Sequence, residues 1–137
     1  VNPYRHLLTL RPWQRHSLVL AVAGAVYVCI GLSYIFSEAT PSREASLQLA
    51  ISWMPLPAWG GVWILVGLLA ILSSRWPPAS ETWGYTTMTG LSAGWAAFYA
   101  VGIIMGAPHQ GISGVLAWGL VAFLWWAISG LVNPGAD

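Results

Sequence analysis

Few residues in this chain have chemistry to offer. Three histidines (His6, His16, His109), one cysteine (Cys29), four acids (Glu38, Glu44, Glu81, Asp137) and five arginines stand among 137 residues. Haem needs axial ligands. His6 and His16 precede the first long apolar run and His109 lies between the last two, so only His6 and His16 share a side, with nothing else there to complete a site. The acids lie outside the apolar runs, and no Ser-His-Asp or paired-carboxylate set is evident. No glycine-rich phosphate loop opens a helix of a soluble domain. A single cysteine excludes an internal disulfide and any CxxC zinc or redox motif, and its apolar surroundings suggest a small buried residue. The expectation is therefore a protein that is not an enzyme, with no catalytic residue, no metal ligand and no cofactor.

The densest cluster is RPWQRH, Arg11 to His16. It could be a nucleic-acid patch, a ligand set or a membrane anchor, and the elements around it decide. Charged residues make up 7% of the chain and apolar residues 57%, against about a quarter and about half in soluble domains. A small soluble domain could not cover its surface with so few polar side chains. The net charge of +1 also lacks the dense basic stripe of a nucleic-acid binder.

Four uncharged segments approach or exceed the roughly 17–25 residues that cross a bilayer core. They run from Ser17 to Phe36, Ala58 to Ser74, Thr82 to Gly106 and Gly111 to Val132. Lipid offers no partner to free backbone groups, so each should be a helix. The first has an apolar core longer than the roughly 7–15 residues of a signal peptide and reads as a retained span. The chain is thus expected to be a single all-α integral membrane domain with four transmembrane helices.

Arginine near a membrane favours the cytoplasmic side. Arg5, Arg11 and Arg15 precede span one, and Arg75 follows span two, whereas Arg43 has Glu38 and Glu44 beside it. Both termini and the second link should face the cytoplasm, in an inner, multi-pass membrane setting. RPWQRH then anchors the chain, with Arg11 and Arg15 at phosphate level and Trp13 in the interface; Arg75, Trp76 and Trp83 serve the same end of the bundle. Trp125 and Trp126 belong to this inner belt, Trp53, Trp59 and Trp63 to the outer one, and Trp95 and Trp118 to the depth of the helices, where packing is expected.

In the first outer link, Thr40 can cap a helix that begins at Pro41. Leu47, Ala50, Ile51 and Met54 fall on one face of a short amphipathic helix over 41–54, with Glu44, Gln48 and Ser52 opposite. It could lie on the leaflet, offer a face to a partner, or fold back as a cap that closes the bundle. Pro55 and Pro57 end it. In the inner link, Pro77 and Pro78 break the helix, Ser80 can cap span three, and Glu81 sits at its positive dipole end.

Small residues mark the spans. Span three has Gly90 with Gly94 and Gly102 with Gly106 at GxxxG spacing, and span one places Gly24, Tyr27, Gly31 and Tyr34 along one side. Close approach over small residues drives helix association in lipid. These glycines could pack one bundle internally or form a seam between copies. No ionisable residue lies in the central part of any span, which argues against a proton-coupled transporter or pump and leaves a passive pore open.

The segments RHLLTLRPWQRHS, SSRWPP, WGYTTMTGLSAGW and WWAISGLVNP resemble those of small four-span membrane proteins of actinobacterial phages. The resemblance extends over nearly the whole chain and carries no catalytic residues. It implies a holin-like role: accumulation in the cytoplasmic membrane, oligomerisation and permeabilisation during host lysis. Thr86, Thr87, Thr89, Ser92 and the glycines of span three would be the lining of such a lesion. Two other readings stand beside it, an accessory or exclusion protein that binds another membrane protein, and a passive small-molecule channel. The partners expected are the bilayer, further copies of the chain or another membrane protein, and no nucleic acid.

Overall fold

The computed structural model describes residues 3–4, 14–38, 40–76 and 80–131, and among them every regular element is helical. Four long helices, α1 (Arg15–Phe36), α4 (Leu56–Arg75), α5 (Glu81–Ile104) and α6 (Ile112–Ser129), account for most of the chain. Between the first two lie two short helices, α2 (Pro41–Ser46) and α3 (Gln48–Trp53), and a 3-10 turn, His109–Gly111, leads into α6. Each long helix, the last counted with its 3-10 turn, is long and apolar enough to cross a membrane.

Local chemistry sets the helix ends. The Gln14 backbone N–H donates to Ser17 Oγ at 3.0 Å, and the same hydroxyl donates to the Gln14 carbonyl, closing the first turn of α1. At α2, Pro41 stands in the first turn and the Arg43 N–H donates to Thr40 Oγ1 at 3.2 Å. At α5, the Thr82 N–H donates to Ser80 Oγ at 3.2 Å.

The C-terminus of α5 differs from the expected span. The helix ends at Ile104, and Gly106 adopts φ 101°, a left-handed conformation that glycine reaches without strain. The Ala107 N–H reaches back to the Gly102 carbonyl at 2.9 Å and the Gly106 N–H to Ile103 at 3.1 Å, which is a Schellman closure. Gly106 therefore stops the helix instead of packing it.

The outer link also differs. Instead of one helix over 41–54, the chain breaks at Leu47 (φ −103°, ψ 20°) into two six-residue pieces. The break lies where the side chain is fully buried. Trp59, early in α4, donates its indole N–H to the Ala50 carbonyl at 2.8 Å and pins α3 to the bundle.

The long helices associate in sequence order. α1 packs along α4, α4 along α5, and α5 along α6. α1 and α6 hardly touch at backbone level; between them runs an open apolar groove of about 430 Å³, walled by Leu18, Val22, Val26 and Trp125. The centre is filled by Trp63, Trp95, Tyr85, Leu20 and Met88, all fully buried. The Trp63 ring lies 4.9 Å from Tyr27, 5.4 Å from Trp95 and 4.9 Å from Trp118. Trp63 thus belongs to the interior and not to an outer belt. Cys29 is exposed on the apolar exterior, contrary to the buried position expected of it.

Candidate functional site

The surfaces that could act are the seams between helices and the faces left open. The tightest seam joins α1 and α4. A Cβ on Gly24 would stand 2.6 Å from the Gly67 carbonyl oxygen, and one on Gly67 would stand 2.5 Å from that of Gly24. Gly31 and Gly60 face each other in the same reciprocal way, with a Cβ on Gly60 2.6 Å from the Gly31 oxygen. Backbone lies directly on backbone at both points, so only glycine fits. Gly24 and Gly31 are thereby committed within one copy. Their counterparts Gly60 and Gly67 were not anticipated, although they repeat the same seven-residue spacing.

A second seam, of hydrogen bonds, joins α1 to the α5–α6 hairpin. The Trp125 indole N–H donates to the Tyr27 hydroxyl at 2.8 Å, and that hydroxyl pairs with the Ser92 hydroxyl. Nearer the start of α1, His16 contacts Glu81 and the Ile128 carbonyl, while the Tyr85 hydroxyl donates to the His16 carbonyl at 2.7 Å. This places Trp125 inside a polar node instead of an interfacial belt. From sequence, His16 belongs to the RPWQRH anchor and Glu81 to the positive dipole end of its helix; the fold brings the two side chains together. No third His, Cys, Asp or Glu joins them to make a metal site among the described residues.

The glycines of α5 divide. Gly102 is buried, and a Cβ on it would meet the Ser46 carbonyl oxygen at 3.5 Å. Gly90 and Gly94 are exposed, with nothing within 4 Å of a Cβ on either. Thr86, Ala93, Ala97 and Val101 are exposed with them, so this side of α5 is small, shallow and uncovered. Of the residues expected to line a lesion, Ser92 is fully buried against Tyr27, and Thr87 and Thr89 donate to their own helix at 2.8 and 2.7 Å.

The apolar face of the outer link is turned inward. Leu47 and Ala50 are fully buried, and Ile51 and Met54 are half-buried. Leu47 and Ala50 help to close the bundle, while Ile51 and Met54 keep part of their surface open. At the opposite end, Arg15, Trp76 and Trp83 are exposed and Arg75 is half-buried. Arg11 and Trp13 lie outside the described residues. Comparison of the chain with protein-family models, with curated proteins and with solved structures finds no match.

Proposed function

We propose that this protein is a multi-pass component of the cytoplasmic membrane, with both termini cytoplasmic, that acts through self-association in the bilayer as a holin-like permeabilising protein during host lysis. The observation that carries the reading is the split between its glycines. Gly24 and Gly31 of α1 and Gly60 and Gly67 of α4 are spent inside one copy, whereas Gly90 and Gly94 stand uncovered on the exterior of α5. In lipid, an open small face favours close approach by another helix. A conduit through a single copy has no support, since Trp63, Trp95 and Met88 fill the centre. Any opening would form between copies.

The second reading, an accessory or exclusion protein that docks another membrane protein on the same face, draws support from the hydroxyls. Ser92, Thr87 and Thr89 are satisfied within the chain, which leaves the outward side of α5 poor in groups for a watery lining.

Expression of the protein alone from an inducible promoter, with membrane potential followed over time, separates the two. A permeabilising protein collapses the potential abruptly after a lag, and Gly94→Leu abolishes both the collapse and the oligomers. A normal potential at high membrane abundance refutes permeabilisation and leaves the docking reading.

A further inference from the structure

Side chains hold a gap open between two of the long helices. α1 packs on α4 and α6 on α5, while α1 and α6 stay apart at backbone level. Two bridges fix their spacing. The Trp125 indole N–H donates to the Tyr27 hydroxyl at 2.8 Å, and His16 Nε2 lies 2.9 Å from the Ile128 carbonyl oxygen. The groove of about 430 Å³ runs along this gap. Leu18, Val22 and Val26 form its exposed wall, and Ala23 and Tyr27, 6% and 2% exposed, form its floor.

Three features point to the occupant. The first is polarity. The Tyr27 hydroxyl and the Trp125 N–H are the polar side-chain groups of the lining, and both are engaged, the hydroxyl with Ser92 as well. No side-chain group remains to bond a polar ligand, so the groove suits hydrocarbon. The second is shape. A helix with its side chains is about 10–12 Å across. The Tyr27–Trp125 bond closes the floor, so α1 and α6 cannot part to seat a helix between them, whereas a single hydrocarbon chain can lie there. From Leu18 to Tyr27 α1 rises about 14 Å at about 1.5 Å per residue. That is close to the depth of one leaflet in a hydrocarbon core of about 30 Å.

The third feature is charge. Arg15 stands three, seven and eleven positions before Leu18, Val22 and Val26, a spacing that puts all four on one side of α1. Arg15 is exposed, and a helical side chain leans toward the start of its helix, here the level of the headgroups. Among the described residues no acid pairs with it, and Glu81, the acid at this end of the bundle, is engaged by His16. The guanidinium keeps its charge at any ordinary pH and matches a phosphate.

We propose that the groove is a lipid site: it holds one acyl chain of an anionic phospholipid whose phosphate meets Arg15. The bound chain fills the space that the protein leaves between α1 and α6. The site rests on the membrane setting proposed above and stands whether or not copies permeabilise the bilayer.

The test places the full chain in phosphatidylcholine nanodiscs doped with phosphatidylglycerol that carries a photoreactive diazirine on one acyl chain. Diazirine phosphatidylcholine with the same chain is the control, and labelled peptides are mapped by mass spectrometry. Label should concentrate on residues 18–26 and Trp125 over Leu65 and Leu68, which are exposed on α4. The anionic lipid should label the groove about fivefold more than the zwitterionic one, the worth of one arginine near an anionic headgroup layer. Arg15→Gln should bring the two lipids level and leave the labelled positions unchanged. Ala23→Phe raises the floor and should lower groove label from both lipids. Val26→Trp narrows the exposed wall and should do the same, and it stands in if Ala23→Phe fails to fold. Excess inorganic phosphate should change nothing, because the acyl chain holds the lipid. Label spread evenly over α1 and α4, equal labelling by the two lipids in the native chain, or displacement by inorganic phosphate overturns the lipid site and leaves the membrane setting intact. Label on no helix overturns both. In a chain with Cys29→Ala and Val22→Cys, disulfide formation between copies with loss of groove label assigns the groove to a second copy and likewise overturns the proposal.

Discussion

Gly67→Ala and Gly94→Ala make the same chemical change in two long helices, and the structure assigns them opposite signs. At Gly67 the new methyl carbon would stand 2.5 Å from the Gly24 carbonyl oxygen and 2.8 Å from both Val28 Cγ2 and the Val28 backbone nitrogen. Ordinary contact begins at 3.4 Å, so α1 and α4 must part by about 0.9 Å at that point. The movement cannot stay local, because Gly31 and Gly60 share the seam. Overfilling a packed interface costs about 1–3 kcal/mol. Alanine returns about 1 kcal/mol of helix propensity. The net expectation is a loss of about 1 kcal/mol. At Gly94 nothing lies within 4 Å, so the propensity gain acts alone and the single copy gains up to about 1 kcal/mol. The two variants should differ by about 2 kcal/mol, roughly a 30-fold ratio of folding equilibria. Reversible unfolding in mixed micelles, followed by tryptophan fluorescence at low protein-to-micelle ratio, measures this without self-association. A Gly67→Ala protein as stable as the parent, or a Gly94→Ala protein equally damaged, refutes the assignment of the two faces.

Tyr27→Phe removes a hydroxyl that serves both Trp125 and the fully buried Ser92. It should cost about 1–3 kcal/mol, and adding Ser92→Ala should cost less than the sum of the two changes, because the second removes a group the first has orphaned; thermal unfolding of the single and double variants checks both. Gly106→Ala places a Cβ on a residue at φ 101°. It should cost roughly 1 kcal/mol and speed amide hydrogen exchange around the turn between α5 and α6 while leaving α1 and α4 protected; uniform exchange across the bundle would contradict a local role for this glycine.

Apolar run length was enough to find the four long helices, because a span must satisfy its own backbone over a set distance. The caps at Thr40 and Ser80 were equally local and equally legible. Which side of each helix faces its neighbours was not, since in lipid the outward and inward sides are both apolar and periodicity loses its contrast. Cys29 and Trp63 show this: one was expected inside and is exposed, the other was placed in a belt and sits at the centre. GxxxG spacing has the same weakness. It grouped Gly102 with Gly106, yet one lies beneath the outer link and the other terminates the helix. The matched repeat of Gly24 and Gly31 with Gly60 and Gly67 was present in the sequence, but only reversing one helix against the other reveals the register. His16 and Glu81 are 65 positions apart, and local pattern carries nothing over that distance.

The polar node at Tyr27 has a consequence for synthesis, given insertion during translation. The glycine seam between α1 and α4 is complete once Arg75 has emerged. Tyr27 meets Ser92 65 residues after itself and Trp125 98 residues after itself. At about 5–20 residues per second, its hydroxyl waits roughly 3–13 s for Ser92 and about 5–20 s for Trp125. For the last part of that interval, the 17 residues from Arg75 to Ser92 or about 1–3 s at the same rate, a closed first hairpin carries an unmatched hydroxyl in an apolar medium, which favours holding it beside the insertion machinery or beside headgroups until the second hairpin arrives. Assembly is therefore ordered in time: the dry seam forms first, and the wet one admits the later helices only in their correct register.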